Sequence, residues 1–256
     1  MELSFIRQFL FLIYVILIMK KVIILVDGQN LYYGLKSMKL KEKDIHWSNL
    51  FRSFLTDDDE LIRTYWFRPQ KILDTYYTHT NIVYQIIKND FPKQLKEYCR
   101  DQTRIPFNIE ADDNERVHTV EEWIKKEKTR FSAIEYNYDQ MALEFEDIEI
   151  VKTGIVKINP FKQDYVGEKG VDISLAVKMI SLSVESKCDK IILVSGDYDY
   201  AEAIKFVKNN MTKIHIVKFH NGEPPQNRSV SRDLAVLADK VIDVYETEIK
   251  RSYLKQ

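Results

Sequence analysis

The stretch IILVSGDYDY, residues 191–200, decides how the rest of the chain is read. A short apolar, β-branched run reads as a buried parallel strand. Here it breaks off in Ser-Gly and two aspartates one residue apart, so carboxylates stand where the strand ends. In an open α/β sheet that rim, outside the carboxyl ends of the strands, is where ligands bind. Two other stretches deliver carboxylates in a similar way. KVIILVDGQN, residues 21–30, is an apolar strand ending in Asp27, and KGVDISLA, residues 169–176, places Asp172 at the start of an apolar-periodic helix.

Working outward, the strand at 22–26 turns at Asp27-Gly28 into a helix carrying Asn30, Leu31, Tyr32 and Leu35. A second helix is expected over 46–55 with Ser48 as its cap, then a strand over 61–67 stopped by Arg68-Pro69, since proline withholds a ladder donor. Strand, helix and strand in alternation argue for an α/β fold with a mainly parallel sheet. From 70 to about 146 the pattern turns helical and polar, with Ile82, Val83, Ile86 and Ile87 as one apolar stripe before Phe91-Pro92, and 112–116 as a loop tip. This segment is long for one crossover and reads as an insertion covering the sheet edge or the site. Its Tyr76, Tyr77, Lys88, Lys93, Lys96 and Arg100 suit a nucleic-acid strand, although a solvated face is the commoner explanation for any one of them. One or two strands follow over 148–158, then a polar loop over 159–170. The helix at 171–184 puts Asp172 on one face with Leu175, Ala176 and Met179. After the strand at 191–194 come a helix through Lys208, a strand at 213–219, a loop at 221–228 with Pro224-Pro225, a short helix at 231–238 and a last strand at 240–244. The expected organisation is an apolar leader at 1–19, one domain over 20–247 with its insertion at about 70–146, and a tail at 248–256.

The 38 basic and 39 acidic residues of the 256 nearly cancel, so any nucleic-acid surface must be a local patch. Cys99 and Cys188 form no metal-ligand spacing, which suits a reducing, cytoplasmic setting. The run FLFLIYVILIM, residues 9–19, is 11 residues long, short of the ~20 that span a bilayer as a helix. Arg7 precedes it as in a signal peptide, yet no small-residue cleavage site follows, and Met19 offers an alternative start. No stable membrane association is expected.

Taken singly, Asp27, Asp172 and Asp197 each suit an N-cap, where a carboxylate accepts orphan N–H groups and meets the positive end of the helix dipole. Taken jointly with Asp199 they gather like charges at one rim, which repel unless protons or a cation neutralise them. A hard divalent cation fits: Mg²⁺, or Mn²⁺, keeps several waters and takes a few carboxylates plus substrate phosphate oxygens. No Cys/His spacing recommends zinc. A bound metal lowers the pKa of a water and neutralises charge on phosphate, so the inferred chemistry is phosphodiester hydrolysis with Asp27, Asp172, Asp197 and Asp199 as metal ligands and catalytic acids. Asn30 suits a metal-bound water or a phosphate oxygen, and equally an ordinary first helical turn. Ser195 and the Gly196 amide suit phosphate at the same rim, and Lys169 could reach one, though a solvated lysine is commoner. His215, in KIHIVKF, reads as structural.

VDGQNLYYGL, KGVDISLAVKMI, ILVSGDYDYAEAIKFV and SRDLAVLADKVIDV, in that order, resemble the motifs of NYN-domain proteins of the LabA-like group, within the PIN-like nuclease superfamily. The resemblance runs from about 20 to 245 with the insertion outside it. It implies a three-layer, Rossmannoid α/β sandwich and metal-dependent cleavage of RNA through Asp27, Asp172, Asp197 and Asp199, with Asn30 beside them. The chain departs from the family at Tyr198, usually small or polar, where the ring suits narrowing the entrance or stacking on a base. Tyr200 replaces a usual Phe, and Ala201-Glu202 stands near a common proline. A ribonuclease is therefore expected, with RNA as partner and the sheet edges leaving a homodimer open. The alternatives are a non-catalytic RNA- or protein-binding regulatory module using the same rim, and a phosphatase. The last is disfavoured because no second acid follows Asp27 two positions on.

Overall fold

Residues 19–90, 111–222 and 231–255 are described by the structure, a computed structural model. The apolar leader, Phe91-Pro92, Lys93, Lys96, Cys99, Arg100, the Ile87 side chain and Pro224-Pro225 lie outside them. Two units make up the chain: one from residues through 68, 137–153 and 170 onward, the other from 69–136 and 154–169.

The first unit is built on a six-stranded sheet. Its strands are β1 (Lys20–Asp27), β2 (Asp59–Arg68), β4 (Ile148–Lys152), β7 (Lys190–Val194), β8 (Lys213–His220) and β9 (Lys240–Tyr245). They run in the order β4-β2-β1-β7-β8-β9, every neighbouring pair parallel. β1 and β7, at the centre, are apolar on both faces because helices cover both, and Val22 to Val26 and Ile191 to Val194 are all buried. On one face Ile23, Leu25, Ile191, Leu193, Ile214 and Ile216 pack against Leu175 and Met179 of the helix Val171–Val184, Ile204 of Ala201–Asn209 and Leu234 of Arg232–Leu237. The other face receives the helix Gly28–Ser37, which packs on β1 and β2, and the helix Trp47–Arg52, whose Trp47 and Phe51 rings meet Trp66 of β2. The result is the three-layer α/β arrangement expected from the sequence.

Among the described residues the helices are, in chain order, α1 (Gly28–Ser37), α2 (Trp47–Arg52), α3 (His79–Asp90), α4 (Ala111–Glu144), α5 (Val171–Val184), α6 (Ala201–Asn209), α7 (Arg232–Leu237) and α8 (Glu246–Ser252). The second unit adds a small sheet of β3 (Lys71–Leu73), β5 (Ile155–Asn159) and β6 (Asp164–Lys169), in the order β3-β5-β6. Its core is Ile72, Val156 and Ile158 with Ile82 and Ile86 of α3 and Val117, Val120 and Ile124 of α4.

Several local expectations are corrected. Ser48 is not the cap of α2: the His46 ring accepts the Asn49 N–H at 3.4 Å, while the Ser48 hydroxyl donates to Asp147 at 2.9 Å. His46 stands at the helix edge where an acceptor reaches the orphan amides, and Ser48 is already inside. Residues 112–116 are not a loop tip but lie within α4. The polar loop at 159–170 contains β6, whose antiparallel pairing with β5 has a register shift next to Gly167, at φ 136°. The C-terminal tail folds as α8, with Ile249 buried and Lys250 paired one turn from Glu246.

Candidate acidic site

The strand order reverses between β1 and β7. From that pair the chain proceeds outward on one side through β2 to β4 and on the other through β8 to β9. This is the switch point at which a crevice opens above the sheet. Val26 is level with Val194, so Asp27 and Ser195 leave the sheet together.

Asp27 is 3 % exposed and caps α1. Its Oδ1 accepts the Asn30 N–H at 3.0 Å; its Oδ2 accepts the Ser195 hydroxyl at 3.0 Å and the Tyr200 hydroxyl at 3.3 Å. The Tyr200 hydroxyl also stands 3.3 Å from Oδ1 of Asp172, in the first turn of α5. Two carboxylates from distant segments thus share one buried hydroxyl. It carries a single proton and donates to one of them at a time.

The remaining links are backbone-directed. The Gly196 N–H donates to Asn30 Oδ1 at 2.9 Å, and the Asp197 N–H to Ser195 Oγ at 3.2 Å. Asp197 Oδ1 accepts the Asp199 N–H at 3.0 Å, closing the 3₁₀ turn Tyr198–Tyr200 that leads into α6. α5 is set by Gly170 at φ 89°, a left-handed cap that favours glycine, and by the Ser174 hydroxyl, 2.9 Å from the Gly170 carbonyl and 2.7 Å from Thr153 Oγ1.

The electrostatics are those of uncompensated negative charge. Burial pushes the Asp27 carboxyl above the ordinary carboxylate range; the Asn30 amide and Ser195 hydroxyl oppose this, and the charge of Asp172 adds to it. Asp172 is raised as well, first by burial, with Tyr200 opposing and Asp197 and Asp199 adding their charges. Burial and the two carboxylates push the Tyr200 phenol far up, so it stays a neutral donor.

Asp27, Asn30, Ser195, Gly196, Asp197 and Asp199 therefore form one hydrogen-bonded chain, and Tyr200 joins Asp172 to it. The Ser195 hydroxyl and Gly196 amide, expected to face phosphate, hydrogen-bond to Asp27 and to Asn30 respectively. Tyr198 is half exposed. Lys169 lies in the other unit, exposed at the end of β6 opposite Ile155. In the sequence Tyr200 stands out only as a departure from Phe. The signal was that a hydroxyl in a buried aromatic position asks for a partner.

Carboxylate and amide oxygens are the donors a hard divalent cation takes. Among the described residues no group of three or more His, Cys, Asp or Glu side chains stands close enough together to enclose an ion. The donor set fits a cation that keeps much of its water shell, not a closed protein cage. Among the described residues no helix is long and apolar enough to cross a membrane.

No curated protein matches the chain. Among solved structures it is similar to a Vibrio parahaemolyticus protein of unknown function, at 14 % identity and TM-score 0.44 over 89 % of this chain and 94 % of that one. The NYN domain family matches residues 21–246, nearly the whole chain and all four motifs quoted from the sequence. The chain belongs to the NYN domain family.

Proposed function

We propose that the protein is a divalent-metal-dependent ribonuclease working at the switch-point rim. The observation that carries this reading is the meeting of Asp27 and Asp172 at the Tyr200 hydroxyl, with Asp197 and Asp199 adding charge from the next turn. Family membership supports it, the NYN domain being of the PIN-like nuclease superfamily. Neutralising repelling carboxylates is work that a cation does, and Mg²⁺ or Mn²⁺ is the class that suits this oxygen set.

Asp27 and Asp172 would hold the cation, with Asp197 and Asp199 reaching it through water. When bound, such an ion lowers the pKa of a water and neutralises charge developing on a phosphodiester. The chain itself supplies orientation. Ser195, the Asn30 amide and Tyr200 fix both oxygens of Asp27, and the Gly196 amide fixes Asn30, leaving its side-chain NH₂ to hold a phosphate oxygen or a water.

A second reading, an RNA- or protein-binding module without turnover, draws on one observation: Tyr200 already occupies the position between Asp27 and Asp172. Incubating the protein with a mixed pool of structured and single-stranded RNA, in Mg²⁺, Mn²⁺ or EDTA, separates the two. The ribonuclease cleaves with metal and stops in EDTA. RNA binding that persists in EDTA, without cleavage in any buffer, would transfer the proposal to the module.

A further inference from the structure

β2 runs beside β1 with Phe67 level with Asp27, so Arg68 is the next residue to leave the sheet on that side. Its stem crosses the start of α1, where Cδ would stand 2.3 Å from a Cβ on Gly28. Its main chain is tied to the other neighbour, the Thr153 N–H donating to the Arg68 carbonyl at 2.9 Å. The head of the side chain is held as well. The guanidinium carbon lies 4.5 Å from the centre of the Tyr138 ring, in α4, and the Tyr138 hydroxyl donates to Oε2 of Glu42, in the 3₁₀ turn Glu42–Asp44. Gly28, Glu42, Arg68 and Tyr138 all belong to the first unit.

A guanidinium carries N–H donors all round its edge. Those of Arg68 have no hydrogen-bond or ion-pair partner among the described residues, although the residue is half-buried and its head is fixed over a ring. Glu42 does not close on it as an ion pair: the Arg68 charge lowers the Glu42 carboxyl against the larger upward effect of burial, and Glu42 Oε1 is buried without a partner. A second donor lacks an acceptor nearby. Trp66 Nε1, which would stand 2.8 Å from the same Cβ on Gly28, is buried and unpaired. A guanidinium stacked by its face keeps its edge open, and that edge grips an oxyanion through two parallel hydrogen bonds. An open guanidinium and an unanswered indole N–H beside one backbone position, next to a rim of carboxylates, leave a place for an anion.

We propose that Arg68 is a phosphate-binding residue on the β2 side of the rim, holding a phosphate next to the one that is cleaved, with Tyr138 and Glu42 as its positioning residues. Neighbouring strands lie about 4.8 Å apart, so a side chain leaving β2 and leaning towards Tyr138 stands beside Asp27 and not over it. The phosphate it meets is therefore a flanking one. This rests on the reading of the rim as a site for RNA and adds the residue that fixes which phosphate lies over the acids.

The test is titration of the full chain with a labelled RNA of mixed sequence over a range of KCl concentrations in EDTA, and the same series in Mg²⁺ read as the cleavage rate at limiting RNA. A phosphate contact releases counterions, so Arg68→Ala should raise Kd about tenfold and flatten the slope of log Kd against log salt by roughly one. Arg68→Lys, which keeps the charge, should keep the wild-type slope and guards against a loss caused by misfolding. Lys250→Ala, which removes a charge paired with Glu246 in α8, should leave Kd and slope unchanged. Tyr138→Leu, which takes away the ring under the guanidinium, should raise Kd in the wild type and not further in Arg68→Ala, as a residue that acts through Arg68 must. Arg68→Ala with the wild-type slope, or an equal flattening in Lys250→Ala, would overturn the proposal. Absence of cleavage with the Arg68 effect on the slope intact would instead count against catalysis, so the two failures are distinct.

Discussion

Asp27 is held by three donors in a position where burial works against its charge, and Tyr200 is the donor it shares with Asp172. Replacing Tyr200 by Phe keeps the ring in its buried place and removes the shared proton. Tyr200→Phe is expected to lower stability by about 1–2 kcal/mol without metal, read as a lower urea midpoint; an unchanged midpoint would show that the hydroxyl is not shared as described. The raised carboxyls also carry a sign. A group whose folded pKa lies above its unfolded value favours folding below the unfolded pKa, about 4 for aspartate, and loses that contribution as pH rises through the folded value. Without metal, the stability of the wild type relative to Asp27→Asn should therefore fall as pH rises from about 4. A denaturation series at several pH values checks this, and a difference that grows in the wild type's favour contradicts it. Asp27 and Asp197 were legible in sequence because each follows an apolar strand, and Asp172 because it opens an apolar-periodic helix. Their coupling through Tyr200 was not, since nothing local says that residue 200 reaches back to the first strand.

At the scale of elements, the site depends on α1 starting immediately where β1 stops. A Cβ on Gly28 would stand 2.3 Å from Arg68 Cδ, 2.6 Å from the Phe67 carbonyl oxygen and 2.8 Å from Trp66 Nε1. The arginine stem can move, but the carbonyl belongs to the neighbouring strand. Gly28→Ala should cost about 1–3 kcal/mol and weaken any activity of the rim by shifting Asn30; a melting curve like the wild type's would show that β2 yields. The central strands were readable because parallel strands covered on both faces are continuous apolar runs. β3 has three residues, too few to show a period, and β6 is mostly exposed, with glycine and charge in it, so its strand character comes from pairing with β5. The α8 helix was missed because seven residues with one buried side chain, Ile249, give no amphipathic pattern.

Across the whole sheet the two ends of the strands treat charge in opposite ways. At the end where β2 and β7 begin, Lys190 Nζ lies 2.6 Å from both oxygens of Asp59, and both side chains are buried. Burial alone would raise the Asp59 carboxyl, but Lys190 and Thr56 hold it below the ordinary range. This end is paired and structural. Lys190→Met leaves Asp59 buried without its partner and should destabilise by about 3–5 kcal/mol, measured by chemical denaturation; a change under about 1 kcal/mol would mean that Asp59 finds water. At the opposite end Asp27 and Asp172 are paired, among the described residues, with an amide and two hydroxyls and with no basic side chain, a charge that we propose a metal neutralises. The most direct measurement is therefore the rate of RNA cleavage by wild type and Asp27→Asn side by side, with Mg²⁺ and with EDTA, together with a thermal melt of each. The account predicts cleavage by the wild type that requires metal, a loss of roughly a hundredfold or more in Asp27→Asn, and a cooperative melt in both. Equal cleavage by the folded Asp27→Asn protein, or cleavage unchanged in EDTA, would contradict it.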